Sequence, residues 1–187
     1  MSGLTGKPTA GVGTDIVSYL TELAAYFDIT IHITSAYRDP DGQGKAMYDN
    51  WEKLDHGHVY KTSTLPAEDR KKLDSYWKSS RDASKTSAER TKAKSDFLEL
   101  AKTRVGSKSA HCWGRAVDVS RGGIHHKAYQ AITLFLHDVK EGSRTDIYHF
   151  ESREVVPPVN EETRAKWKAI KGDVPHLPKP VGHAVWC

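Results

Sequence analysis

Hydrophobic positions along the chain recur at helical spacing in some stretches and alternate in others. Val17, Leu20, Ala24 and Phe27 fall on one face of a helix that Thr14 can cap. Asp28 ends that pattern. Ile29, Ile31 and Ile33 then alternate with Thr30, His32 and Thr34, the period of a half-buried strand that delivers Ser35-Ala36-Tyr37-Arg38 at its end. Asp39-Pro40-Asp41-Gly42 reads as turn chemistry. It opens a stretch rich in Lys, Glu, Asp, Ser and Ala, which predicts an insertion of several helices over about 42–106. Within it, Leu65-Pro66-Ala67-Glu68-Asp69 looks like a helix start with Leu73, Tyr76 and Trp77 on one face, and Ala93, Phe97, Leu98 and Leu100 suggest a further helix.

Beyond the insertion, Ala116-Val117-Asp118-Val119 reads as a short buried strand and Tyr148-His149-Phe150-Glu151 as another. Between them, Ala128, Ala131, Ile132, Phe135 and Val139 form the apolar side of an expected helix. A last helix from Glu161 carries Trp167 and Ile170, after which Pro175, Pro178 and Pro180 force an extended tail over about 173–187. There is no internal repeat.

A chain of 187 residues with 37% hydrophobic positions suits a single domain with decorations. Charge is uneven: from Lys61 to Arg104 twelve Lys or Arg face seven Asp or Glu, whereas the whole chain carries +4. Such a face attracts anionic polymers, including those of a bacterial envelope, but its density is below that of a nucleic-acid arm, so nucleic acid is not the expected partner. A solvated helical face is the plainer reading. The N-terminus has no apolar core of a signal peptide, and no segment approaches the roughly 18 apolar residues of a membrane span, so the expectation is a protein made in the cytoplasm without membrane insertion. Cys112 and Cys187 are too few for a disulfide scaffold. Nothing in the pattern specifies an oligomeric state.

Ser109-Ala110-His111-Cys112-Trp113-Gly114-Arg115-Ala116-Val117-Asp118 places an imidazole and a carboxylate seven residues apart across a glycine. A turn followed by a strand brings both to one point, and a catalytic zinc takes three such protein ligands while leaving a fourth position open. His149 supplies a third ligand. Asp146, three residues earlier, supplies a carboxylate free to act as a base. His56, His58, His125, His126, His176 and His183 are read as surface residues.

Ser109-x-His111-x-x-Gly114-x-Ala116-x-Asp118, followed by Asp146-x-x-His149, resembles the zinc peptidases that include D-alanyl-D-alanine carboxypeptidases and L-alanyl-D-glutamate endopeptidases. The resemblance covers Thr14 to Phe27, Ile29 to Asp39 and Ser109 to Glu151. It implies an α+β fold with a small antiparallel sheet flanked by helices. It also implies Zn²⁺ held by His111, Asp118 and His149, with Asp146 as general base and Arg38, in Ser35-x-x-Arg38, stabilising the tetrahedral intermediate. Ser109, Tyr37 and Trp113 are the candidate substrate-binding residues. Carboxypeptidase members usually carry Glu where this chain has Asp146, and the Asp form resembles the endopeptidases, including many phage endolysins.

The expected substrate is therefore a stem peptide of peptidoglycan, reached after lysis or by dedicated secretion as an antibacterial effector. The alternatives are a D-Ala-D-Ala carboxypeptidase and a non-catalytic zinc-containing binding module. The insertion of about 70 residues between Arg38 and His111 departs from the family pattern. Because it leaves the core between two residues expected to face the metal, it is expected to narrow access to the site.

Overall fold

The computed structural model describes residues 2–60, 62, 64–139 and 146–170. In chain order these form β1 (Gly3–Gly6), α1 (Thr14–Tyr26), β2 (Thr30–Ser35), α2 (Pro40–Asp49), α3 (Ala67–Arg81), α4 (Ser87–Arg104), β3 (Ala116–Ser120), α5 (His126–Ile132), β4 (His137–Asp138), β5 (Ile147–Glu151) and α6 (Glu161–Ala169). Short 3-10 turns span Asp55–Gly57, Gly106–Lys108 and Ala110–Trp113. The architecture is α+β. Two compact units divide it: a sheet unit from residues 2–37, 114–139 and 146–170, and a helical unit from the described residues of 38–113.

In the sheet unit the strand order is β1-β2-β3-β5-β4. β2, β3, β5 and β4 pair antiparallel, but β1 lies parallel to β2, so the sheet is mixed rather than wholly antiparallel. Ile31 and Ile33 of β2, Val117 and Val119 of β3, and Tyr148 and Phe150 of β5 all point into one core. The period-two alternation of those strands turns the intervening residues to the other face. Ile16, Tyr19, Leu20, Leu23 and Ala24 of α1, Ala128 and Ile132 of α5, and Trp167 of α6 cover that core. Tyr19 ties three helical segments together, donating to the Ala131 carbonyl and accepting from the Trp167 indole N–H. Burial pushes its phenol up to about 12, so it stays a donor at all ordinary pH values.

Three local expectations change. Thr14 is the first residue of α1 rather than its cap; Gly13 takes the cap position with no side-chain bond. The apolar run after Ala128 is helical only to Ile132, and the Val139 amide donates to the His149 carbonyl, so Val139 continues the β4 pairing. A short apolar run fits helix and strand alike, and cross-strand pairing decides between them. Asp39-Pro40 starts a helix instead of a turn: the Asp39 carboxylate accepts from the Gly42 amide at 2.6 Å and Pro40 occupies the first helical turn.

The helical unit has its own core of Met47, Tyr48, Trp51, Leu65, Leu73, Phe97, Ala101 and Val105. Gly44 lets α2 approach α4 closely, since a Cβ there would sit 3.2 Å from the Leu98 carbonyl. Several of its basic residues are ion-paired within the unit: Lys78 with Asp74, Lys92 with Asp96, Lys102 with Asp41, and Arg104 with the buried Asp69. Arg81 lies over the rings of Tyr48 and Trp77. His56 is not a plain surface residue, because its Nδ1 meets Asp74 at 2.7 Å and its ring packs edge-on against Trp51 and Trp77. The expected tail over 173–187 lies outside the described residues. Among the described residues no helix is long and apolar enough to cross a membrane.

One ion pair fixes the approach to β3. Arg115 donates to both oxygens of Asp15 at 2.8 Å, and also to the carbonyls of Ser152 and Glu154. Asp15 also accepts from the Val156 amide at 2.7 Å. Burial alone would raise the Asp15 carboxyl, but the hydrogen bonds from Arg115 and Val156 and the Arg115 charge outweigh it and hold the group below its ordinary value. A depressed carboxyl stabilises the fold above its unfolded pKa and loses that contribution as pH falls through the folded value. Asp15→Asn is therefore expected to lower unfolding stability by about 2 kcal/mol at pH 7. The gap to the native protein should close below about pH 4, in denaturant titrations run at several pH values.

Candidate metal centre

The register of the sheet places Ser35 opposite Asp118 and Asp118 opposite His149. Directly opposed residues share a face, so the three form a row across β2, β3 and β5 on the side away from the core. Asp118 is fully buried and His149 is 6% exposed. His149 Nδ1 stands 2.7 Å from Asp118 Oδ1.

His111 comes from the 3-10 turn Ala110–Trp113 and is also buried. The chain leaves that turn through Gly114 at φ +66, where an added Cβ would lie 2.1 Å from the Gly11 carbonyl oxygen. Only glycine fits there. The Gly114 carbonyl in turn accepts from the Gly13 amide at 2.7 Å, so the glycine of the motif marks where this segment docks against the lead into α1.

Ligand atoms of His111, Asp118 and His149 all lie within 4.8 Å of one another. A four-coordinate first-row ion holds its nitrogen and oxygen ligands roughly 3.4 Å apart, so small side-chain adjustments suffice for this group to hold a metal ion. Two imidazoles and a carboxylate form a nitrogen and oxygen donor set. Cys112 is not part of this group, and partial burial pushes its thiol up to about 11.

The other expected site residues stand as follows. Asp146 is exposed in the bend before β5, outside the three-residue group, and its carbonyl accepts from the Arg121 amide at 3.1 Å. Arg38 is half-buried; its backbone N–H donates to the His111 carbonyl at 3.4 Å and its guanidinium donates to Gln43 Oε1 at 3.0 Å. Of the neighbouring acids, Asp39 caps α2 and Asp41 pairs with Lys102. Ser109 is buried, and its backbone bonds to Val105 and Cys112. Tyr37 and Trp113 expose 44% and 63% of their surface and lie outside the buried core.

Two residues went unread in the sequence. Gln43 is buried and holds Arg38, but its role depends on α2 starting at Asp39-Pro40. Glu151 is buried with its Oε2 at 3.4 Å from His149 Nε2. The signal for it was present, since residues two apart on a strand share a face. His125, read as a surface residue, caps α5 through Nδ1.

In comparisons with known proteins, no family model, no curated protein and no solved structure matches this chain. The assignment of the centre therefore stands on the geometry of the residues themselves. The protein is expected to bind one divalent ion per chain, and His111→Ala or His149→Ala is expected to weaken that binding by about 100-fold or more, because two remaining ligands make a poor site. Chelator competition and elemental analysis measure it; full metal content in both variants would contradict the assignment.

Proposed function

We propose that the chain is a zinc-dependent peptidase that hydrolyses stem peptides of peptidoglycan, acting as an endopeptidase of the L-alanyl-D-glutamate type. The observation that carries this reading is the convergence of His111 and Asp118, seven residues apart, with His149, 31 residues further on, into one buried group of zinc-compatible donors. Supporting it are the order and spacing of the two motifs, which resemble those of zinc peptidases of the bacterial cell wall. Zinc, when bound, supplies Lewis acidity that polarises the scissile carbonyl and makes water a competent nucleophile near neutral pH.

The chain's own residues take the remaining roles. Asp146, exposed beside the start of β5, accepts a proton from the attacking water and passes it to the leaving amine as the C–N bond breaks and the new C–O bond forms. Arg38 donates to the oxyanion that develops on the carbonyl oxygen, and Gln43 fixes the rotamer of its guanidinium. A stabiliser held in place before reaction spends no energy on reorganisation at the transition state. The exposed rings of Tyr37 and Trp113, with Ser109, are assigned to contacts with the peptide.

Digestion of purified peptidoglycan by the zinc-loaded protein, with mass spectrometry of the fragments, tests the reading. Release of peptides with a new D-glutamate N-terminus is expected; loss of a terminal D-alanine alone would mean a carboxypeptidase, and intact wall material would refute the proposal. Asp146→Ala and Arg38→Ala are each expected to keep the metal and lower kcat by roughly 100-fold. Unchanged turnover in either variant would remove that residue from its role.

A further inference from the structure

His149 is flanked by two carboxylates, and that arrangement reaches past the three ligands. Its Nδ1 faces Asp118 Oδ1 at 2.7 Å, and its Nε2 faces Glu151 Oε2 at 3.4 Å. Glu151 shares the face of β5 with His149, and its side chain is only 7% exposed. Ala116 lies opposite it on β3 and His137 on β4. No Lys or Arg forms an ion pair with Glu151 among the described residues; its recorded polar partner is the His149 ring. A buried carboxylate is costly unless hydrogen-bonded, so its presence beside an imidazole calls for a compensating partner.

We infer that Glu151 is a positioning residue for the metal centre: it accepts the Nε2–H of His149 and so selects the tautomer whose Nδ1 lone pair points toward Asp118 and the metal. The inference rests on the metal-site reading above. A neutral imidazole carries a single ring proton, and only one of the two flanking carboxylates receives it. If the proton sits on Nδ1, it bonds Asp118 and occupies the side shared with the other ligands. If it sits on Nε2, Glu151 takes it and Nδ1 is left as a donor toward the ion. The carboxylate also makes the ring a more basic ligand, and it turns the ring plane through a hydrogen bond that only this ring position makes. A metal held through the opposite nitrogen would supply the balancing positive charge.

The test uses the full chain and Zn²⁺ or Co²⁺ alone as the probe. Long-range nitrogen–proton correlation spectra of the zinc-loaded native protein are expected to show His149 bound through Nδ1 with a slowly exchanging proton on Nε2. Glu151→Gln is expected to weaken metal affinity by about 10-fold or more in chelator competition, with the unfolding midpoint of the metal-free protein preserved. Glu161→Gln, an exposed acid of α6, is expected to leave affinity unchanged. Absence of metal binding by the native protein would overturn the underlying site. Metal binding with His149 coordinated through Nε2, or Glu151→Gln affinity within twofold of native, would overturn the role of Glu151 alone. If Glu151→Gln does not fold, the spectrum of the native protein decides.

Discussion

The antiparallel pairing of β3 with β5 sets Asp118 opposite His149, and the chemistry of this chain depends on that register. A slip of one residue would turn the slipped strand over, sending Asp118 or His149 into the core and that strand's apolar residues to the other face. The slip is opposed by the core itself, because Val117, Val119, Tyr148 and Phe150 fill one side of these strands without gaps in the alternation. Hydrophobic burial on one face thus holds polar ligands on the other. The same register places Ser35 beside Asp118 and Glu151 two positions along from His149.

A second constraint acts where the chain arrives at β3. Gly114 passes so close to Gly11 that no side chain fits, and Arg115 immediately after it binds Asp15 and the carbonyls following β5. Two consecutive residues therefore anchor the segment between His111 and Asp118 to the start of α1 and the end of β5. The seven-residue spacing of the two ligands reflects this: a turn to present His111, a glycine for close passage, an anchoring arginine, and a strand to present Asp118.

Much of the centre was legible because its residues sit in short contiguous motifs with turn and strand chemistry between them. The helices carrying Leu73, Phe97 and Trp167 were legible from their apolar periodicity. β1 was not, because Gly3–Gly6 holds a single large apolar residue, Leu4, and exists through pairing with β2, a contact far away in sequence. Gln43 stayed hidden because Asp39-Pro40 serves a turn and a helix start equally well, and only the start brings residue 43 beneath Arg38. Val139 was misread because the run from Ala128 onward satisfies helical spacing until His149 offers it a strand partner. For β1 and Val139 the missing information was a non-local partner, and for Gln43 it was a local choice between turn and helix start.

The residues of the candidate site differ in exposure. The three candidate ligands and Glu151 are buried, Asp118, His149 and Glu151 on strands and His111 on a 3-10 turn, whereas Asp146, Tyr37 and Trp113 are exposed. Buried ligands favour a permanently held ion with a defined donor set. Zinc K-edge X-ray absorption on the reconstituted protein tests this most directly. The account predicts a first shell of nitrogen and oxygen at about 2.0–2.1 Å with the outer-shell scattering of two imidazoles and no sulfur. A sulfur shell near 2.3 Å, or the spectrum of hydrated zinc, would contradict it.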